Sequence, residues 1–151
     1  MLRNVQFAIV ASLAMTLFRP GFAEAQGTAA EAKAMLEKAV AAVKADKAKA
    51  IEMFNKGEGG FKDRDLYPFC FQVSDGKTLA APERVRGQDV RTLKDATGKA
   101  YGEDIFKAAT QEGKINEVSY QFPKPGASNP SPKTSFITKV GELGCGVGYY
   151  Q

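Results

Sequence analysis

Two segments far apart in the chain read as neighbouring strands, and they restrict its fold more than any other feature. Residues 65–80, DLYPFCFQVSDGKTLA, are rich in aromatics and turn at Asp75-Gly76. Residues 132–150, PKTSFITKVGELGCGVGYY, close with glycine at alternate positions, Gly144, Gly146 and Gly148. Each segment carries one of the two cysteines, Cys70 and Cys145. An aromatic strand beside a strand whose facing positions lack side chains leaves a concavity in a sheet, and concavities hold ligands. The alternative is that the glycines let Tyr67 and Phe69 pack flat, which is the commoner use of glycine in a strand.

The N-terminus reads as an export signal. Arg3 supplies positive charge, Val5 to Phe18 are apolar apart from Gln6, Ser12 and Thr16, and Ala23-Glu24-Ala25 offers a small-x-small cleavage site. The apolar stretch falls short of the roughly 20 residues a membrane span needs, so cleavage is favoured over an uncleaved anchor. Residues 1–25 are expected to be the signal peptide and residues 26–151 one domain. Losing Arg3, Arg19 and Glu24 takes the formal net charge from +4 to +3. Such a mildly basic surface, with no block of basic residues, excludes a nucleic-acid footprint. The expected location is periplasmic or secreted, not membrane-embedded after cleavage. In an oxidising compartment Cys70 and Cys145 become a candidate disulfide, favoured over two buried free thiols. Closing so long a loop is worth about 4 kcal/mol on chain entropy.

Thr28-Ala29-Ala30-Glu31 is a capping box, and Ala32, Met35, Leu36, Ala39, Val40 and Val43 then recur at helical spacing. Asp46 and Lys47 fall on that apolar stripe. The long helix is therefore expected to kink or restart there, with Asp46 capping a second helix that buries Ile51 and Phe54 and stops at Gly57. An uninterrupted helix with Lys47 snorkelling is the other reading. From Tyr67 the period becomes two: Tyr67, Phe69, Phe71 and Val73 share one face, and Leu66, Pro68, Cys70 and Gln72 the other. Pro68 belongs near the strand's start or opposite a bulge. Asp75-Gly76 turns into a short second strand. After a connection over residues 81–99, a helix is expected over residues 103–111, with Ile105, Phe106 and Ala109 inward. A third strand over residues 115–122, a Pro/Gly/Ser/Asn loop, a fourth strand from Lys133 and a last strand ending at Tyr150 complete the chain.

Helices first and antiparallel hairpins afterwards give an α+β domain, with helices on one face of a single sheet. If the first and last of the five strands share a disulfide, they are neighbours, and the antiparallel order is 2-1-5-4-3. That is a PAS-like arrangement.

These residues resemble the single Cache domains, in their type 2 sensor form, from about Thr28 to Gln151. The resemblance rests on Met53-Phe54-Asn55, Phe61, Asp65-Leu66-Tyr67, the Asp75-Gly76 turn, Gly87-Gln88-Asp89, Leu93-Lys94-Asp95, Pro132-Lys133-Thr134-Ser135-Phe136 and Val147-Gly148-Tyr149-Tyr150, taken in their order and spacing. It implies an extracytoplasmic sensor domain that binds small molecules, often short carboxylates, and serves chemoreceptors or sensor kinases in signal transduction. Ala81, where relatives commonly carry histidine, and the cysteine pair depart from the pattern.

A carboxylate needs a cation, hydroxyl donors and an apolar wall. Lys133, after Pro132 at the head of a strand, is the candidate cation, matching the family's Pro-Lys-x-Ser segment with Ser135. Tyr67, Tyr120 and Tyr149 are candidate donors, and Phe69, Phe71 and Phe122 the wall. Arg84 and Arg86 are the second choice of cation. Buried aromatics serving only as core, and a solvated lysine, are the plain alternatives. Catalysis is not expected: there is no histidine, and no phosphate loop, nucleophile elbow or Cys-x-x-Cys motif. Neither metal nor cofactor is expected. The favoured function is reversible capture of a small organic acid, possible partners being a membrane sensor kinase or chemoreceptor, with the protein a monomer or weak homodimer. The alternative is an interaction module that holds no ligand and docks to a membrane sensor or dimerises through its first helix.

Overall fold

The structure is a computed structural model that describes residues 25–151, so all of the expected signal peptide but Ala25 lies outside the described residues. Helix α1 (Ala29–Ala45) opens on the expected capping box: Glu31 N donates to Thr28 Oγ1 at 3.2 Å and Thr28 N to the Glu31 carboxylate at 2.8 Å. Asp46 does end this helix and cap the next, α2 (Lys47–Lys56), its carboxylate accepting from Lys49 N at 3.0 Å. The restart has a physical cause. An interior Asp competes for backbone amides, and here it satisfies two helix ends at once. Gly57, at φ 69°, then ends α2 in the left-handed conformation glycine adopts without strain.

The strands β1 (Pro68–Gln72), β2 (Thr78–Ala80), β3 (Asn116–Pro123), β4 (Pro130–Val140) and β5 (Leu143–Tyr150) form one antiparallel sheet in the order β2-β1-β5-β4-β3. Pro68 is the first residue of β1, where its missing amide proton costs no ladder bond. Cys70 and Cys145 face each other in the register and are joined as a disulfide across a sequence separation of 75.

The expected one-sided packing holds for α1 and α2 only. They cover the face bearing Cys70, Phe136, Leu143, Cys145 and Val147. Helix α3 (Tyr101–Ala108) lies with Phe71, Val118, Tyr120 and Ile137, residues of the opposite strand parity, together with a 3-10 turn at Val90–Thr92. It begins and ends earlier than its apolar spacing predicts. Tyr101 and Gly102 are buried beside Ile105, because Gly102 sits so close to Val90 O and Leu93 that no Cβ fits between them. The sheet is thus sandwiched, which is why β4 and β5 bury residues of both parities. No helix among the described residues is long and apolar enough to cross a membrane.

Candidate ligand-binding site

The register builds the site on the α3 side of the sheet. Lys133 stands between Tyr120 on β3 and Tyr150 on β5, and the next row places Ser135 between Val118 and Gly148. Phe69 and Phe71 oppose Gly146 and Gly144. A Cβ on Gly144 or Gly146 would run into those two rings, and one on Gly148 into Lys133 Cε and Ser135 Oγ. The glycines therefore admit two phenylalanine rings and the lysine stem. Of the pair expected to pack flat, Phe69 does so, and Tyr67 is not among the side chains against these glycines.

Lys133 is 2% exposed. Its ammonium donates to the Tyr67 hydroxyl at 2.8 Å. It lies 4.2 Å from the Tyr67 ring centroid, 4.8 Å from that of Tyr150 and 5.2 Å from that of Phe122. No carboxylate pairs with it among the described residues. Burial pushes its pKa from 10.5 down to about 7, and the negative charge of Asp65 works in the opposite direction. Three ring faces supply favourable quadrupoles but do not replace water around a full charge. Asp65 is itself buried: one carboxylate oxygen accepts from Gly27 N at 2.7 Å, and the other is without a partner.

The hydroxyls at neighbouring strand positions have partners of their own. Tyr120 and Ser135 share a hydrogen bond at 2.9 Å, and the Tyr120 ring stacks on Tyr101 with centroids 4.3 Å apart. Tyr150 donates to Pro123 O at 2.7 Å. Burial holds the Tyr67 phenol well above its usual range, with the neighbouring Tyr150 and Tyr120 adding to the shift. Burial likewise raises Tyr120 above the usual range and pushes Tyr101 and Tyr150 to about 12. All four therefore stay neutral donors near pH 7.

Between the sheet and the segment after β2 lies a cavity of about 30 Å³, lined by Tyr67, Phe69, Tyr120, Phe122 and Lys133 and roofed by Ala81, Pro82 and Val85. On the far side of that roof is an open cleft of about 640 Å³ that shares Tyr67, Ala81, Pro82 and Phe122 with it and adds Arg84 and Arg86. The roof is tied down through its backbone carbonyls: Thr78 Oγ1 donates to Val85 O at 2.6 Å, with Gln88 O 3.0 Å away, and Arg86 donates to Ala81 O at 2.9 Å.

The residues singled out in the sequence divide accordingly. Tyr67, Phe69, Tyr120, Phe122 and Lys133 line the cavity, and Ser135 supports it through Tyr120. Phe71 is buried in the core against Phe106, beside rather than in the cavity. Tyr149 lies on the opposite face, stacked on Phe136 beneath α1. Its place is taken by Tyr150, which sequence reasoning passed over although strand alternation puts it on the side of Gly144, Gly146 and Gly148. Tyr101 was also missed, and nothing in the local pattern marks it; Asp65, which beside Asp63 and Arg64 reads in the sequence as exposed turn charge, is instead buried.

Comparison with known proteins agrees with this architecture. No curated protein matches the sequence. Among solved structures, a methyl-accepting chemotaxis protein from Vibrio parahaemolyticus is similar with a TM-score of 0.62 and 21% identity, over 80% of this chain and 86% of that one. The periplasmic sensor domain of a chemotaxis protein gives 0.60 and 22%, over 78% and 86%. A Cache chemosensory domain described for its carboxylic acid recognition gives 0.58 and 23%, over 78% and 84%. At these identities the likeness is one of fold. The sequence itself matches the family described as Cache domain over residues 30–150. With that match spanning nearly every described residue and the same fold in the chemotaxis sensors, the chain belongs to the Cache domain family.

Proposed function

We infer that the protein is an extracytoplasmic sensor domain that binds a short-chain carboxylate without covalent chemistry. One observation carries this reading: Lys133 is buried among three aromatic rings with a hydroxyl and, among the described residues, no carboxylate partner. A cation held so far from water is costly unless an anion joins it. A carboxylate beside Lys133 would accept from the ammonium and the Tyr67 hydroxyl, and its alkyl part would rest on Phe69 and Phe122. A solved Cache domain of this fold recognises carboxylic acids, which supports the ligand class. The export signal expected over residues 1–25 supports a periplasmic location, and the chemotaxis sensors of like fold support a membrane receptor as partner.

A cavity of about 30 Å³ has room for a few waters, a tight fit for a small carboxylic acid. A larger acid needs the roof of Ala81, Pro82 and Val85 to shift toward the cleft. The same closeness of fit favours the second reading, a docking module that holds no ligand. A thermal-shift and calorimetric screen of acetate, propionate, pyruvate, lactate and succinate, repeated on Lys133→Ala, decides between them. Stabilisation by at least one acid, lost in the variant, is the expected result. Failure of every acid, or undiminished binding by the variant, rejects the carboxylate reading.

A further inference from the structure

We propose that the ligand is a short dicarboxylate whose two carboxylates are held by Lys133 and Arg84 at the shared wall of Phe122. This rests on the carboxylate reading above and specifies its ligand. The Phe122 ring carries two cations: Lys133 Nζ is 5.2 Å from its centroid on the buried side and the Arg84 guanidinium carbon 5.4 Å away in the cleft. Like Lys133, Arg84 has no carboxylate partner among the described residues. Its guanidinium is also absent from every side-chain hydrogen bond among them, whereas Arg86, two residues on, is spent on Ala81 O.

Two like charges drawn to one ring repel each other, and the arrangement gains most from an anion that meets both. The cations stand no farther apart than the sum of their distances to the ring. After one carboxylate has paired with each, the remaining gap admits a chain of about three or four carbons in all. Access points the same way. The cavity behind the roof is tight, and the roof segment carries Arg84 on the side of the cleft. A ligand reaching Lys133 through the cleft passes Phe122 and Arg84. A monocarboxylate satisfies Lys133 and leaves Arg84 unmatched; a dicarboxylate matches both and holds the roof closed behind it.

The test is calorimetry on the full chain with malonate and succinate against propionate and butyrate, for the wild type, Arg84→Gln and Lys62→Gln. Lys62 lines the cleft but is not among the cations over Phe122. The expected result is a preference for the diacids of at least tenfold, collapsing toward parity in Arg84→Gln and kept in Lys62→Gln. The melting temperature of unliganded Arg84→Gln shows whether that variant is folded; Arg84→Lys, which restores the charge without the planar fork, should recover part of the preference. If propionate binds as well as succinate, or the preference survives Arg84→Gln, the dicarboxylate proposal is overturned and the carboxylate reading stands. If none of the four acids binds, both fall.

Discussion

Gly148 makes room for Lys133: with any side chain at 148, the lysine stem could not lie across β5 to reach Tyr67. A backbone without a Cβ here does for a buried amine what Gly144 and Gly146 do for two phenylalanine rings.

Gly148→Ala should therefore leave a folded protein with an impaired site. The new methyl meets Lys133 Cε and Ser135 Oγ, and a lysine tail can move where a backbone cannot. Circular dichroism should be native, with a loss in stability of about 1–3 kcal/mol from overpacking. Carboxylate affinity should drop at least tenfold; unchanged affinity would place the ligand elsewhere.

Lys133→Met should separate binding from stability. Methionine nearly matches the stem and removes a buried amine that burial penalises. The melting temperature at pH 6 should stay level or rise, while binding weakens by about 2–5 kcal/mol, the usual cost of removing one partner of a buried charge pair. A large fall in melting temperature would show the amine to be a structural necessity.

Stability should climb with pH above neutrality. The unfolded chain keeps the Lys133 proton up to 10.5, whereas the folded chain releases it near 7. Between those values the unfolded state binds more protons, so raising the pH favours the fold, with a slope approaching about 1.4 kcal/mol per pH unit. Beyond pH 10 the trend reverses, because Tyr101 and Tyr150 hold their protons to about 12 when folded. Urea unfolding of wild type and Lys133→Met across pH 6–10 checks this, since only the wild type should show the rise.

Affinity should run the other way. A bound carboxylate raises the Lys133 pKa, so above about pH 7 binding takes up a proton. The Kd should increase about tenfold per pH unit there and level off below pH 6. Calorimetry in two buffers of different ionisation enthalpy at pH 8 should report uptake of close to one proton. No uptake would mean that Lys133 is not the anion's partner.

Reducing the disulfide should cost about 4 kcal/mol, the entropy of a loop closed across 75 residues. Chemical denaturation with and without a thiol reductant measures it, and Cys70→Ser/Cys145→Ser should reproduce the reduced value.

Much of this architecture could be read directly from the residues. The capping box, the restart at Asp46, the Asp75-Gly76 turn and the alternation in the first strand are local signals, and local physics decides them. The strand order followed from one non-local assumption, that Cys70 and Cys145 pair, and the register bears it out.

Tertiary contacts decided the rest. Amphipathic spacing tells which stripe of α3 is buried but not which face of the sheet receives it, and so the helices lie on both sides rather than one. Tyr149 and Tyr150 show the limit within a single dipeptide: alternation sends them to opposite faces, and only the position of α1 and α3 says which face is which. Lys133 shows it again. Its type and place in the strand mark a candidate cation, but its burial and its three rings arise from four segments meeting, a property of packing that no stretch of sequence contains.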